Sequence, residues 1–219
     1  PKSKLFPYTT HFRSVKSKYN LKHIYKLILN SGVYQQSSIP QSTDPKVESL
    51  FGCYIVRRLD AEVLIDALNW IGGTDEKYSS MIPEPFTFIP EELRTIELAD
   101  GSITSQFLEN FGRPARDTGL ESERINEPSD VQRRYLLNSS DVQRKIERSP
   151  KLRKAVQNAN RKPRQIINNL YLTILSRYPT ESEIETVLTY FKTDGIDMRE
   201  AVNDLSWALI NSKEFLYRH

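Results

Sequence analysis

Between Ser129 and Glu200 the chain carries a series of helix-start signals, and these constrain the fold more than any other feature. Ser129-x-x-Gln132, Ser140-x-x-Gln143 and Thr180-x-x-Glu183 have the capping-box form, and Asp197-x-x-Glu200 repeats it with an acid. In such a box the first side chain accepts from a free backbone N–H of the first turn, and the fourth reaches back. Asn138-Ser139-Ser140 therefore reads as a break between two short helices or a kink in one. Pro163 stands at a plausible first helical position, ahead of an apolar face of Ile166, Ile167, Leu170, Tyr171, Ile174 and Leu175. The helix from Thr180 runs through Ile184, Val187, Leu188 and Phe191 to Gly195. The one from Asp197 runs through Ala201, Leu205, Ala208, Leu209 and Ile210. The loops between these last three helices are short, which favours antiparallel neighbours, so residues 163–216 are expected to form a compact three-helix unit.

The first half is punctuated less regularly. Leu21, Ile24, Tyr25 and Ile28 predict a helix over 20–30, widened by Leu27 and Leu29 and stopped at Gly32. Residues 35–46 read as a polar loop. A second helix is predicted from the N-cap Asp60 through Val63, Leu64, Ala67, Leu68 and Ile71, ending at Gly72-Gly73. Residues 74–103 are irregular and proline-rich, with Phe86-Thr87-Phe88-Ile89 as a candidate edge strand. A short helix is expected near 104–111, with Gly112 as its stop. The expected fold class is mainly α: an irregular, proline-rich middle segment with a C-terminal antiparallel three-helix unit. The expected organisation is an arm over 1–19 and one helical domain over 20–219, with subregions 20–128 and 129–219.

Composition supports a core but leaves function open. Of 219 residues, 38% are hydrophobic, and eleven Tyr, nine Phe and two Trp argue against wholesale disorder. No apolar run approaches the roughly 20 residues of a membrane span. A single cysteine, Cys53, precludes a disulfide framework or thiolate metal site within the chain, and reads as a small core residue. Charge is segregated: residues 75–109 hold eight acids against two bases, and residues 131–165 hold eleven bases against two acids. Either these faces complement each other inside the fold or the basic one serves an anionic partner.

Several short motifs fall in one order. They are Ser31-Gly32-Val33-Tyr34-Gln35-Gln36-Ser37-Ser38, Arg57-Arg58-Leu59-Asp60-Ala61-Glu62, Ala99-Asp100-Gly101-Ser102-Ile103-Thr104-Ser105 and Phe111-Gly112-Arg113-Pro114. Arg116-Asp117-Thr118-Gly119-Leu120-Glu121-Ser122-Glu123-Arg124, Leu136-Leu137-Asn138-Ser139, Leu175-Ser176-Arg177-Tyr178-Pro179-Thr180 and Ala208-Leu209-Ile210-Asn211-Ser212-Lys213-Glu214-Phe215 complete the set. On these residues 20–219 resemble the C-terminal domain of large planctomycete-type proteins, domain-of-unknown-function family 1553. The resemblance implies an extracytoplasmic parent, periplasmic or extracellular, in which another uncharacterised domain precedes this one and a c-type cytochrome module is common. It brings no catalytic residues. The chain has no Cys-x-x-Cys-His, so any haem module lies outside it and no cofactor is expected within it. Residues 1–14 resemble a translated sequencing adapter, and are set aside together with His11. The missing start methionine fits a fragment of a longer protein.

The sharpest candidate site is the mixed-charge segment 113–124. Arg113, Arg116 and Arg124 alternate there with Asp117, Glu121 and Glu123. An ordered polar loop can be held by Arg–carboxylate pairs. Alternatively, the three arginines clamp an anion while Asp117, Glu121 or Glu123 serves as general acid or base, working with groups from the missing N-terminal domain. Asp117-Thr118-Gly119 matches the aspartic-protease triplet only superficially, since no second triplet exists to share a proton. Oxygens of Asp100, Asp117, Glu121 and Glu123 lack EF-hand spacing for calcium. His23 sits in the first helix and His219 is terminal, so no His pair has ligand spacing, and no metal is expected. The basic run contains Arg144, Lys145, Arg148, Lys151, Arg153 and Lys154, followed by Arg161, Lys162 and Arg164. It suits either a solvated helical face docking on the acidic 75–109 segment or an anion or nucleic-acid surface, though it lacks interleaved aromatics for stacking. A structural or interaction domain, with the parent's N-terminal domains and a glycan or protein as partners, is the leading expectation.

Overall fold

The computed structural model describes residues 13–44, 46–78, 89–90, 93–98, 103, 105–114, 123–125, 127–159 and 162–218. The chain divides between Val56 and Arg57 into two compact units, a division the sequence reading did not draw. As expected, the chain is mainly helical, with one two-stranded ladder among the described residues.

The first unit contains helix α1, Leu21–Leu29. Asn20 caps its start, Oδ1 accepting from His23 N–H at 3.1 Å. Its last helical residue is Leu29, three residues before the expected stop at Gly32, because side chains take its last carbonyls. Asn30 Nδ2 donates to Lys26 O at 2.8 Å, and Ser31 Oγ to Ile28 O at 2.7 Å. Its apolar residues Leu21, Tyr25, Leu27, Ile28 and Leu29 are exposed rather than buried. Cys53, later in the unit, is buried.

The second unit begins with β1, Arg57–Arg58, and α2, Ala61–Gly72, followed by a single 3-10 turn at Thr95–Glu97 and α3, Gln106–Asn110. Then come α4 (Asp130–Asn138), α5 (Ser140–Arg148), α6 (Pro150–Asn158), α7 (Pro163–Leu175), α8 (Glu181–Tyr190), α9 (Met198–Ile210), α10 (Lys213–Leu216) and β2 (Tyr217–Arg218). β1 and β2 pair antiparallel, Arg57 opposite Arg218 and Arg58 opposite Tyr217, which ties the unit's two ends together. The expected strand at Phe86–Ile89 lies, except for Ile89, outside the described residues.

α2 is the organising helix, packing on α3, α5, α6 and the 3-10 turn. Its Leu64 and Leu68 join Leu108, Phe111, Val142, Ile166, Ile167, Leu170 and Ile210 in the buried core. Phe107 and Phe111 stack with centroids 4.3 Å apart, and the Tyr135 ring meets both edge-on. α7 packs on both α8 and α9, the three helices expected to associate. They are not self-contained, however: α7 also packs on α6, and α9 on α5.

The caps explain where the helices start. Ser129, Thr180 and Asp197 act as read, each accepting from the N–H three residues on. The box at Ser140 is shifted by one residue. Ser139 is the cap, accepting from Asp141 and Val142 N–H, and Ser140 is the first helical residue. Helix α6, submerged in the basic run on reading the sequence, starts at Ser149-Pro150. Ser149 Oγ accepts from Leu152 N–H and donates to Ile71 O at 2.6 Å, so one hydroxyl caps α6 and takes a terminal carbonyl of α2. Beside it Gly73 is left-handed at φ 65, and a Cβ there would stand 2.9 Å from Pro150 Cδ.

Candidate functional site

Helix α2 opens with Asp60-Ala61-Glu62, and both acids are occupied by distant arginines. Asp60 makes no capping bond; its Oδ2 accepts from Arg218 Nη2 at the chain's other end. Glu62, in the first turn, is the centre of a buried ion cluster. Arg124 approaches it in the bidentate manner, Nη1 to Oε2 and Nη2 to Oε1, both at 2.8 Å. Arg113 Nε lies 3.2 Å from Oε1, and the side chains of Arg113 and Glu62 are each only 6% exposed.

The remaining donors of Arg113 are also used: Nη1 donates to Ile103 O and Nη2 to Leu98 O. One step away, Arg58 Nη1 donates to Gln132 Oε1, and its Nη2 to Phe111 O at 2.6 Å and Ile125 O at 3.2 Å. Its guanidinium carbon stands 5.5 Å from the Phe111 ring centroid. Gln132 completes the link by donating Nε2 to Asn110 O at 2.9 Å.

This arrangement closes the base of the mixed-charge segment. Ile125 N–H donates to Gly112 O at 3.2 Å, immediately outside Arg113 and Arg124. Gly112 has φ 87, and a Cβ there would fall 2.0 Å from Ile125 O, so only glycine fits. The two arginines at the segment's ends thus share one carboxylate from α2. Arg116, Asp117 and Glu121 lie outside the described residues, as does Asp100. Glu123 is described and half-buried.

Electrostatics follow from the geometry. Burial alone would raise the pKa of Glu62. The Arg124 hydrogen bonds, a bond to its own backbone, and the Arg124 and Arg113 charges outweigh that, and the carboxyl titrates below its ordinary value. Burial lowers the pKa of Arg58 more than Tyr217 and Asp60 raise it.

A second cluster sits at the far end of α7. Arg177 Nε donates to Glu214 Oε1 at 2.6 Å and Nη2 to Oε2 at 2.7 Å, while Nη1 and Nη2 reach Glu183 at 2.9 and 2.8 Å. The Arg177 hydrogen bonds hold the Glu183 carboxyl at about 2, against opposition from burial and with help from Thr180.

The basic run does not lie on one face. Lys145 is buried, with Nζ 3.0 Å from Glu76 Oε1 and 3.2 Å from Asp141 Oδ2. Glu76 belongs to the acidic segment. Arg144 also reaches Asp141, at 3.7 Å, and Arg153 Nη2 donates to Glu147 O. Lys151 places Nζ 3.5 Å from the Trp70 ring centroid, Lys154 lines the groove beside it, and Arg148 is exposed. Among the described residues no group of three or more His, Cys, Asp or Glu is placed to hold a metal ion, and no helix is long and apolar enough to cross a membrane.

The sequence reading quoted Glu62, Arg58 and Gln132 without singling them out as site residues. The acid in the first turn of α2 reads as ordinary compensation of the helix dipole. No local signal shows that its partners stand as much as 62 residues away.

No curated protein and no solved structure matches the chain. A family model described as PSD1: Protein of unknown function (DUF1553) matches residues 10–191, starting within the stretch set aside at the N-terminus. That match covers most of the length and takes in Arg113, Arg124 and Glu62, and the chain belongs to the DUF1553 family.

Proposed function

We propose that this chain is a structural and interaction domain at the C-terminus of a larger extracytoplasmic bacterial protein of the planctomycete type, one concerned with polysaccharide. The observation that carries the reading is the sharing of Glu62 by Arg113 and Arg124. A carboxylate that is nearly inaccessible, bound by two guanidinium groups and held ionised, is poorly suited to exchange protons with a substrate. It is well suited to hold a polar segment at one place on a helical frame. The reading requires no cofactor from this chain, whose partners are the parent's other domains and a glycan.

The test uses the full-length parent. Asp117→Asn and Glu121→Gln are expected to leave both its activity and its melting temperature unchanged. Glu62→Gln is expected to lower the melting temperature. Loss of parent activity in Asp117→Asn or Glu121→Gln, with melting unchanged, would overturn the reading in favour of a hydrolase-like site.

A further inference from the structure

Helices α6 and α7 pack together, and each turns a second face outward beside that seam. On α7 the residues Ile166, Ile167, Leu170, Tyr171 and Ile174 are buried in the core. The interleaved set Gln165, Asn168, Asn169, Leu172 and Thr173, at helical spacing, faces a groove instead. From α6, Lys151, Lys154, Ala155 and Asn158 form the opposite wall, again at helical spacing. Trp70 of α2 and Tyr178 after α7 complete the lining; they are 56% and 67% exposed. The groove has a volume of about 680 Å³, within the roughly 300–1,000 Å³ of sites for small molecules.

We infer that this groove binds an acidic oligosaccharide, one bearing uronate or sulfate groups. The inference rests on the interaction-domain reading and names the partner. Four carboxamides, of Asn158, Gln165, Asn168 and Asn169, line one open groove. Each can donate and accept at once, as sugar hydroxyls also do. Two exposed aromatic rings offer flat apolar surface to the C–H faces of pyranose rings. Two lysines and no carboxylate stand among the residues lining it, so the site is electropositive and selects against a cation.

Parts of the groove are ordered without a ligand. Asn169 Nδ2 donates to Ala155 O at 2.8 Å, joining the two walls, and Thr173 Oγ1 donates to Asn169 O at 2.7 Å. The Lys151 ammonium resting against Trp70 holds that ring and its own charge together. A single-stranded nucleic acid would also use aromatics and lysines, but it needs a continuous run of cations along its phosphates. Lys145 is turned inward to Glu76 and Asp141, so α5 does not extend the pair at Lys151 and Lys154 into such a track.

Titration of the full chain tests this, read by Trp fluorescence and calorimetry at fixed salt. The probes are trigalacturonate, a heparin tetrasaccharide, cellotriose and an oligouridylate. Saturable binding of trigalacturonate or the heparin fragment, at least tenfold tighter than cellotriose, is expected; which of the two binds tells uronate from sulfate. Trp70→Ala and Asn168→Ala should each weaken it at least fivefold with unchanged melting temperature, since neither side chain is in the core. Lys151→Gln with Lys154→Gln should remove the preference for the acidic sugar. Absence of binding by both acidic probes at millimolar concentration overturns the inference. So does binding unaffected by these variants, or tighter binding of oligouridylate. None of those results touches the non-catalytic reading, which stands or falls on parent activity in Asp117→Asn and Glu121→Gln.

Discussion

Replacing Glu62 by Gln preserves shape while removing the charge that two arginines share. In the wild type three guanidinium contacts converge on the carboxylate, two from Arg124 at 2.8 Å and one from Arg113 at 3.2 Å. Gln retains one acceptor oxygen and turns an NH2 group toward donors. Hydrogen bonds to charged groups are worth about 1.5–3 kcal/mol each, and breaking one member of a buried pair costs about 3–5 kcal/mol. Arg113 is sealed in, whereas Arg124 is 19% exposed and can recover water, so the lower end applies, about 3 kcal/mol. At roughly 2–4 °C per kcal/mol for a chain of this size, the melting midpoint should fall by about 6–12 °C. Urea unfolding followed by circular dichroism measures the free-energy loss, and a thermal melt measures the shift in midpoint. The pH dependence gives a second check. Glu62 titrates below its ordinary value of 4.5 in the folded chain, so its contribution is complete above that value and is lost as pH falls through the depressed one. The gap between wild type and Glu62→Gln should therefore narrow on acidification. A loss below about 1 kcal/mol at neutral pH, or a gap that widens in acid, would refute the argument that the cluster clamps the segment.

Arg177→Met should cost about 1–2 kcal/mol, discounted because its partners are partly exposed, and should return the Glu183 carboxyl from about 2 toward its ordinary value in a side-chain NMR titration. Wild-type stability from Glu183, whose folded value lies below the unfolded one, should accordingly be complete above the ordinary value of 4.5 and be lost progressively as pH falls to about 2. Gly112→Ala meets a positive φ and a backbone oxygen 2.0 Å away, and should destabilise by at least about 2 kcal/mol in chemical denaturation. Ser149→Ala leaves one α6 amide and the Ile71 carbonyl without their shared partner, and should cost about 2–3 kcal/mol by the same measurement.

Local chemistry was legible where the code is local. The caps at Ser129, Thr180 and Asp197, Pro163 at the start of α7, and the glycine stop of α2 all follow from residues within one turn of the feature. The one-residue error at Ser139 arose because two adjacent serines can both cap, and the choice is made by which hydroxyl reaches two amides. Helix α6 was hidden because its sequence is mostly charged and polar, and its apolar spacing is sparse: Leu152 and Ala155, with Ala159 at its C-cap, are what the core uses. At α1 periodicity located the helix, but an apolar stripe carries no information about what, if anything, covers it. Of the site, Arg113 and Arg124 were legible as residue types needing carboxylates. The carboxylate itself was not, because an arginine sets no sequence distance to its partner. Nor was the groove, since its residues are the polar complement of faces singled out for their apolar side.

The motifs that carry the family resemblance turn out to be one another's partners. Glu62 comes from one, Arg113 from a second and Arg124 from a third, and these meet in a single cluster, with Arg58 of the first motif beside it on Phe111 O and Ile125 O. Arg177 from a fourth grips Glu214 from a fifth. A buried charge cluster is a weak source of net stability, because desolvation opposes the attraction, but it strongly penalises any packing that separates its members. The buried pairing penalises any shift of α2 against Arg113 and Arg124, and the partly exposed Arg177 pairs tie the end of α7 to α10. Most of the groove lies elsewhere: among its lining residues only Tyr178 belongs to those motifs. These pairings therefore account for much of the frame. What the frame holds must be read from the outward faces of α6 and α7.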